Sequence, residues 1–221
     1  MGKLSIVATP IGNLEDITLR ALRTLKECDV IYAEDTRVIS KLLARYEIKK
    51  PLQRLDAATE IKKAGEIIAR LEAGEHVAFV SDAGTPGVSD PGARLVARTR
   101  EAGALIEAIP GASALTAALS IAGLDATEFT FVGFLPHKKG RQTALKKLAT
   151  SEIPVVLYES PHRILKLLKE LVQHQVLHIT IARELTKIHE EVISGSPSEM
   201  LAHFVQHPDT IRGEFVVIVT F

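Results

Sequence analysis

The stretch Val77-Ala78-Phe79-Val80-Ser81-Asp82-Ala83-Gly84-Thr85-Pro86-Gly87 decides the fold. Four apolar residues make a run that is short for a helix and suited to a strand buried on both faces. A polar segment with glycine and proline then breaks it. Helical spacing follows from Ala93 to Glu101 and stops at Gly103. Strand, polar loop, helix is the repeating unit of a parallel α/β sheet.

The same unit recurs on both sides. Leu4 to Ala8 runs into Thr9-Pro10-Ile11-Gly12-Asn13. Val30 to Ala33 runs into Glu34-Asp35-Thr36-Arg37, and Leu105 to Ile109 into Pro110-Gly111-Ala112-Ser113. The spacing predicts helices over 18–26, with Leu19, Leu22 and Leu25 on one face, and over 38–46 and 61–71. Pro110-Gly111-Ala112-Ser113 opens a further Ala-rich helix reaching about Ala122. Such a sheet binds ligands outside the carboxyl ends of its strands. Four polar loops on one rim therefore point to a small polar ligand with a flat, ring-like part. Plainer readings exist. Asp90 and Pro91 suit the N-cap and first turn of the next helix, and Glu34-Asp35 suits the positive end of another.

Gly123-Leu124-Asp125-Ala126-Thr127 is the best boundary, giving an N-terminal α/β domain over 1–125 and a C-terminal one over 126–221. Beyond it, strands are predicted over 129–134, 155–158, 179–182, 191–194 and 214–220, and helices over 141–148, from Glu159-Ser160-Pro161-His162-Arg163 to Val172, and over 197–205. Hairpin-like pairs mixed with helices imply a mixed sheet. The polar residues of this half also follow strands: Glu159, His162 and Arg163; Arg183, Glu184 and Lys187; His137, Lys138, Lys139 and Arg141. Each Arg–Glu neighbour could be a surface ion pair worth little. Their repetition at strand ends favours a local site for an anionic polymer.

The chain has 221 residues, 46% of them hydrophobic, and 27 basic against 27 acidic side chains. Zero net charge argues against coating nucleic acid through bulk charge. The single cysteine, Cys28, allows no internal disulfide and reads as a small buried hydrophobe. The start reads as a strand rather than a signal peptide, and no apolar run nears the roughly 20 residues of a membrane helix, so a cytoplasmic location is expected. The phosphate loops G-x-x-x-x-G-K-[ST] and G-x-G-x-x-G are absent, as are the G-x-S-x-G elbow, the H-E-x-x-H helix and any Cys/His cluster for zinc. No metal is expected.

The residues from Val7 to Thr18 resemble the opening of the bacterial 16S ribosomal RNA cytidine 2′-O-methyltransferases. So do Ala33-Glu34-Asp35-Thr36-Arg37, the 81–87 loop, Gly133-Phe134-Leu135-Pro136, Tyr158-Glu159-Ser160-Pro161-His162-Arg163 and Ala182-Arg183-Glu184-Leu185-Thr186-Lys187. That family sits in the tetrapyrrole (precorrin) methylase superfamily. The resemblance implies a two-domain tetrapyrrole-methylase-like α/β fold, with a parallel N-terminal sheet and a mixed C-terminal one. It implies S-adenosylmethionine in the cleft between the domains, a homodimer, and 2′-O-methylation of a cytidine ribose in the decoding region of 16S rRNA within the small ribosomal subunit. It places the donor against Pro10, Ile11, Gly12, Asp82, Gly84, Thr85, Ala112 and Ser113, with further contacts near Leu135, Tyr158 and Ala182. It puts Arg37, His162, Arg163, Arg183 and Lys187 on the RNA side. The catalytic candidates are Arg37 and Arg163, as phosphate or ribose holders, Glu159, orienting Arg163, and Glu184. Candidates for the proton acceptor are Glu34, Asp35, Glu159, Glu184 and His162. Asp56-Ala57-Ala58-Thr59-Glu60 stands where members carry His-x-His-Asn-Glu, and many members continue past the position of Phe221 with a helical extension. The other readings are a tetrapyrrole methyltransferase of the same superfamily and a ribosome-binding module without catalysis.

Overall fold

The structure, a computed structural model, describes residues 1–220. It divides into two compact units, Met1–Ser113 and the chain from Ala114 onward. The division falls ahead of the boundary expected at 123–127. The helix α5 (Ala114–Ile121) packs along a strand of the second unit and so belongs with it.

In the first unit, β1 (Lys3–Val7), β2 (Val30–Ala33), β3 (Leu52–Arg54), β4 (His76–Val80) and β5 (Leu105–Ile109) form an all-parallel sheet ordered β3-β2-β4-β1-β5. β3 has no signal in the sequence. It is a three-residue edge strand with polar Gln53 and Arg54, and only its pairing with β2 defines it. The interior strands are buried on both faces. On one face Val7, Ile31 and Val80 pack with Leu25 of α1 (Leu19–Glu27) and with Ile39 and Leu42 of α2 (Thr36–Arg45). On the other, Leu4, Tyr32 and Phe79 pack with Ile67 and Leu71 of α3 (Glu60–Glu72) and Leu95 of α4 (Ala93–Glu101).

Local chemistry fixes the helix starts. The Thr18 hydroxyl accepts from the Ala21 N–H to open α1, and the Asp35 carboxylate accepts from the Arg37 N–H to open α2. Two expectations need correction. Leu19 lies on the solvent side of α1, whose buried stripe runs through Ala21, Thr24 and Leu25. Asp90 and Pro91 precede the start of α4, whose cap position is Gly92.

In the second unit, β6 (Thr130–Phe134), β7 (Val155–Glu159), β8 (His178–Arg183), β9 (Glu191–Gly195) and β10 (Phe215–Thr220) are ordered β6-β7-β10-β8-β9. Only β6 and β7 run parallel, so this sheet is mixed. Its core joins Leu157, Phe215 and Val217 to residues of α6 (Arg141–Ala149), α7 (Ile164–Gln173) and α8 (Pro197–Gln206). Ser196 and Glu199 form a reciprocal capping box at the start of α8, with Pro197 in its first turn. Cys28 is fully buried, and burial pushes its thiol up to about 11, outside the reactive range. No helix among the described residues is long and apolar enough to cross a membrane.

An ion-pair cluster ties the exposed edge strand β5 to its neighbours. Glu107 receives Arg20 of α1 at 2.6 Å, Lys3 of β1 at 3.1 Å and the Ser5 hydroxyl at 3.3 Å. The hydrogen bond from Arg20, then that from Lys3, holds the Glu107 carboxyl down at about 2, against an ordinary 4.5. A depressed carboxylate pKa stabilises the fold above the unfolded value, and that contribution is lost as pH falls through the folded one. Glu107→Gln should therefore cost about 1 kcal/mol at pH 7. Its deficit against the unsubstituted chain should shrink between pH 4.5 and about 2, as read from urea unfolding at successive pH values.

Candidate functional site

The carboxyl end of the first sheet is where its connections part company. β1 and β2 lead into α1 and α2 on one face, whereas β4, lying between them, leads into α4 on the other. Adjacent strands whose connections leave on opposite faces open a crevice at their ends, the switch point of an α/β sheet. The predicted loops meet there. Thr9 and Gly84 exchange backbone hydrogen bonds of 2.9 and 3.0 Å, and the Thr9 hydroxyl reaches the Ser81 carbonyl at 3.4 Å. The Thr85 hydroxyl donates to the Ala112 carbonyl at 3.3 Å. The loops after β1, β4 and β5 are thus joined into one rim. It holds Pro10, Ile11 and Gly84 buried, Thr85, Ala112 and Ser113 half-buried, and Gly12 and Asp82 exposed.

Gly84 has φ of +74°, and a Cβ there would stand 3.4 Å from Ile11 and 3.7 Å from the Ala112 carbonyl. Glycine is required for the turn, and it leaves the backbone open to close approach.

The rim is acidic. Asp82 accepts from the Asp35 N–H at 2.9 Å. Desolvation, followed by repulsion from Asp82 and Asp90, raises the pKa of Glu34; desolvation chiefly raises that of Asp82. Asp35 is held at about 2 by its hydrogen bonds from Arg37. The Arg37 side chain, clasped by Asp35, is 88% exposed.

Sequence reasoning missed the residue that braces this rim. Glu60, 5% exposed, sends one carboxylate oxygen to the N–H groups of Gly92, Arg94 and Leu95, each at 3.0 Å. It caps α4 from the start of α3 and so anchors the far end of the 81–92 loop. The clue was its retention within an otherwise divergent segment. Within that segment Asp56 and Thr59 bond each other reciprocally.

In the second unit the predicted residues fall into separate groups. Glu159 is buried and meets the Arg163 Nε at 2.7 Å and the Ser160 N–H at 2.8 Å. Its other oxygen lies 3.7 Å from the Arg141 guanidinium and has no hydrogen-bond partner among the described residues. Arg141, itself 3% exposed, is held by Glu170 through bonds of 2.6 to 3.1 Å. The two guanidiniums then donate to the successive carbonyls of Leu135, from Arg163, and Pro136, from Arg141, each at 3.2 Å. Arg183 bonds Glu191 at 2.6 Å, and Lys187 bonds Glu184 at 2.7 Å. Glu159 and Arg183 both sit opposite Phe215 on β10, one on each side, about 10 Å apart by two strand spacings. Glu184 and Thr186 have positive φ, a strained backbone of the kind found where side chains are aimed for function. His162 is exposed. Arg141, expected with His137, Lys138 and Lys139 in a loop for an anionic polymer, is instead the buried first residue of α6, neutralised by Glu170. Glu170 gave no sequence signal, since it reads as an ordinary charged residue of an amphipathic helix.

Replacing Glu60 by Ala would strand three N–H groups at a buried helix start, at a cost of about 1 to 3 kcal/mol. Glu60→Gln, which keeps one acceptor oxygen, should cost less. Urea unfolding together with hydrogen exchange at the Leu95 amide reads both effects, and equal stability for all three proteins would refute the capping role.

The chain matches the model of the tetrapyrrole (corrin/porphyrin) methylases over residues 3–201. It is 44% identical to the ribosomal RNA small subunit methyltransferase I of Thermotoga maritima, across 100% of this chain and 99% of that one. It is 46% identical to the protein of the same name from Synechocystis sp., across 99% of this chain and 79% of that one. Among solved structures, diphthine synthase superposes with a TM-score of 0.79 at 16% identity, covering 99% of this chain and 90% of that one. The Thermus thermophilus uroporphyrin-III-C-methyltransferase superposes with 0.70 at 22%, covering 100% and 94%; at these identities the likeness is one of fold. By the family model and by identity along its whole length, the chain belongs to the tetrapyrrole methylase family, in the group whose curated members are named ribosomal RNA small subunit methyltransferase I.

Proposed function

We propose that this chain methylates the 2′-oxygen of a cytidine ribose in the decoding region of 16S rRNA, using S-adenosylmethionine, as a cytoplasmic homodimer acting on the small ribosomal subunit. The observation that carries the reading is the full-length identity to relatives named for small-subunit rRNA methylation, joined to a switch-point rim suited to the donor.

The rim's chemistry fits that donor. S-adenosylmethionine carries a sulfonium and an ammonium, and would supply the methyl group on positively charged sulfur. Glu34 and Asp82 are carboxylates whose ionisation is disfavoured where they stand, and a bound cation would relieve that cost. The open backbone at Gly84 and the exposed Gly12 allow close approach by a flat group. Pro10, Ile11, Thr85, Ala112 and Ser113 would complete the holding set.

The chain's own work is placement. Most of the rate comes from fixing the ribose hydroxyl against the donor, and a base then removes its proton. Glu159 has one oxygen committed to Arg163 and Ser160 and is enclosed, so its part is to orient Arg163. Glu184, less buried and facing Lys187, is the stronger candidate for handling the proton in this unit, as Glu34 is in the first. Arg37, exposed at the first rim, together with Lys187 and His162, would hold RNA phosphates. Arg183, expected beside them, is 7% exposed and bonded to Glu191, and would brace the site from beneath.

The test is methyl transfer from labelled S-adenosylmethionine to small subunits lacking the modification, with naked 16S RNA and a tetrapyrrole precursor as parallel acceptors. Label mapped to a cytidine ribose supports the proposal; label only in the tetrapyrrole overturns it. Asp82→Ala should weaken donor binding about 10- to 100-fold by calorimetry. Because Glu34 and Asp82 have raised pKa values, acidification protonates them first. Donor affinity should therefore begin to fall at a pH above the one at which ordinary carboxylates protonate, and the fall should be smaller in Asp82→Asn.

A further inference from the structure

Edge strand β6 carries a built irregularity. Its pairing with β7 shifts register between Phe131 and Gly133, and Gly133 has φ of +61°. Residues three apart on a regular strand point to opposite faces. Here the bulge turns Phe131 and Phe134 onto the same partner, Tyr158 of β7, with ring centroids 5.0 and 5.6 Å away and both pairs edge-on. A bulge that re-aims a side chain in this way is characteristic of functional edges. Phe134 is 50% exposed and its neighbour Val132 is 42% exposed. A large aromatic is therefore held half open to solvent on an edge strand.

The surroundings are cationic and rigid. The Arg163 guanidinium lies over the Phe134 ring, 5.8 Å from its centroid. It is pinned there by Glu159 and by the Leu135 carbonyl, while Arg141 holds the next carbonyl, that of Pro136. His137, Lys138 and Lys139, all exposed, follow directly. An exposed ring with a guanidinium above it, beside a run of cations, has the makings of a single-stranded nucleic-acid subsite: aromatic faces stack unpaired bases, and lysines follow the phosphates. A purely apolar partner would leave His137, Lys138 and Lys139 unused.

We infer that Phe134, flanked by Tyr158 and Arg163, is a stacking platform for an unpaired nucleobase of the RNA substrate, with Lys138 and Lys139 on the adjoining phosphates. The inference rests on the rRNA reading above and adds a base-holding subsite to it. Stacking tolerates any base, so the platform captures an extruded nucleotide without choosing its identity.

The test measures binding of unmodified small ribosomal subunits, methyl transfer to them and donor affinity, for the unsubstituted protein, F134A, F134L and F134W. Loss of a stacked base is expected to weaken subunit binding about 5- to 150-fold in F134A. F134L, which keeps the apolar bulk, should also weaken it; F134W should restore it; donor affinity should stay unchanged in all. Equal subunit affinity for F134A, F134L and the unsubstituted protein overturns the platform. Loss of donor affinity instead places Phe134 against the donor, and conversion of a dimer to monomer assigns the patch to a second copy; each overturns it. Binding and transfer are scored separately. A protein that binds subunits through Phe134 without labelling them keeps the platform and loses the catalytic reading. A protein that does not bind subunits loses the platform, and label in naked RNA then decides whether the catalytic reading survives.

Discussion

A parallel strand covered on both faces has nowhere to display polar chemistry except its ends. That constraint governs the first unit. Val30 to Ala33 and Val77 to Val80 are wholly buried, so carboxylates, hydroxyls and glycines collect in the segments that follow them. The order β3-β2-β4-β1-β5 adds the second condition. With α4 on one face and α1 and α2 on the other, the loop after β4 is flanked by loops that turn the opposite way. The Thr9–Gly84 backbone exchange bridges that divide, and Glu60 fixes the loop's far end to α4. The acidic rim is thus held by backbone bonds and a buried cap, leaving the Asp82 side chain exposed.

The second unit solves a different problem by a costlier route. Arg141, Glu159 and Glu170 are buried charges, and desolvating them is repaid only by close, well-satisfied pairing. Hydrophobic residues of similar size could fill the same space. Their contribution is geometric: two guanidiniums, oriented by carboxylates, grip successive carbonyls at Leu135 and Pro136. A loop between a strand end and a helix is ordinarily mobile. This one is clamped at the turn that joins the bulged aromatic strand to the exposed lysines.

Much of this was legible in the sequence, for identifiable reasons. Interior strands such as Val77 to Val80 announce themselves as apolar runs because both faces are buried, and Gly84 and Pro86 mark the break that follows. The loops that meet in the first rim were legible because each lies directly after such a run. What was hidden depends on pairing across the chain. β3 exists only through β2. Glu60 looks like an ordinary helix-starting acid until its three N–H partners arrive from more than thirty residues away. Arg141 and Glu170 look like solvated helix charges until packing buries them together. The bulge at Gly133 is a property of register, which no local pattern encodes. The compact units divide ahead of the 123–127 turn because α5 follows the first unit's last strand in sequence, as a crossover helix would, yet packs on β10.

The distribution of charge ties these parts to one chemistry. Balanced at 27 against 27, the chain has no net charge with which to gather a polyanion. Within the first unit, acids concentrate on the rim where a cationic sulfonium donor would sit. Within the second, Arg163 lies over the Phe134 ring, and the exposed Lys138 and Lys139 follow it in sequence. A donor of one sign and an acceptor of the other call for opposite local potentials, and a neutral chain supplies both only by segregating them. On the proposed reading, discrimination would fall to short-range fit: a base would have to be unpaired to reach Phe134, and a ribose exposed to meet the donor. A folded ribosomal surface presents such nucleotides in fixed places, whereas a regular duplex keeps them stacked. Under the proposed function, weak bulk attraction would serve to select for RNA shape.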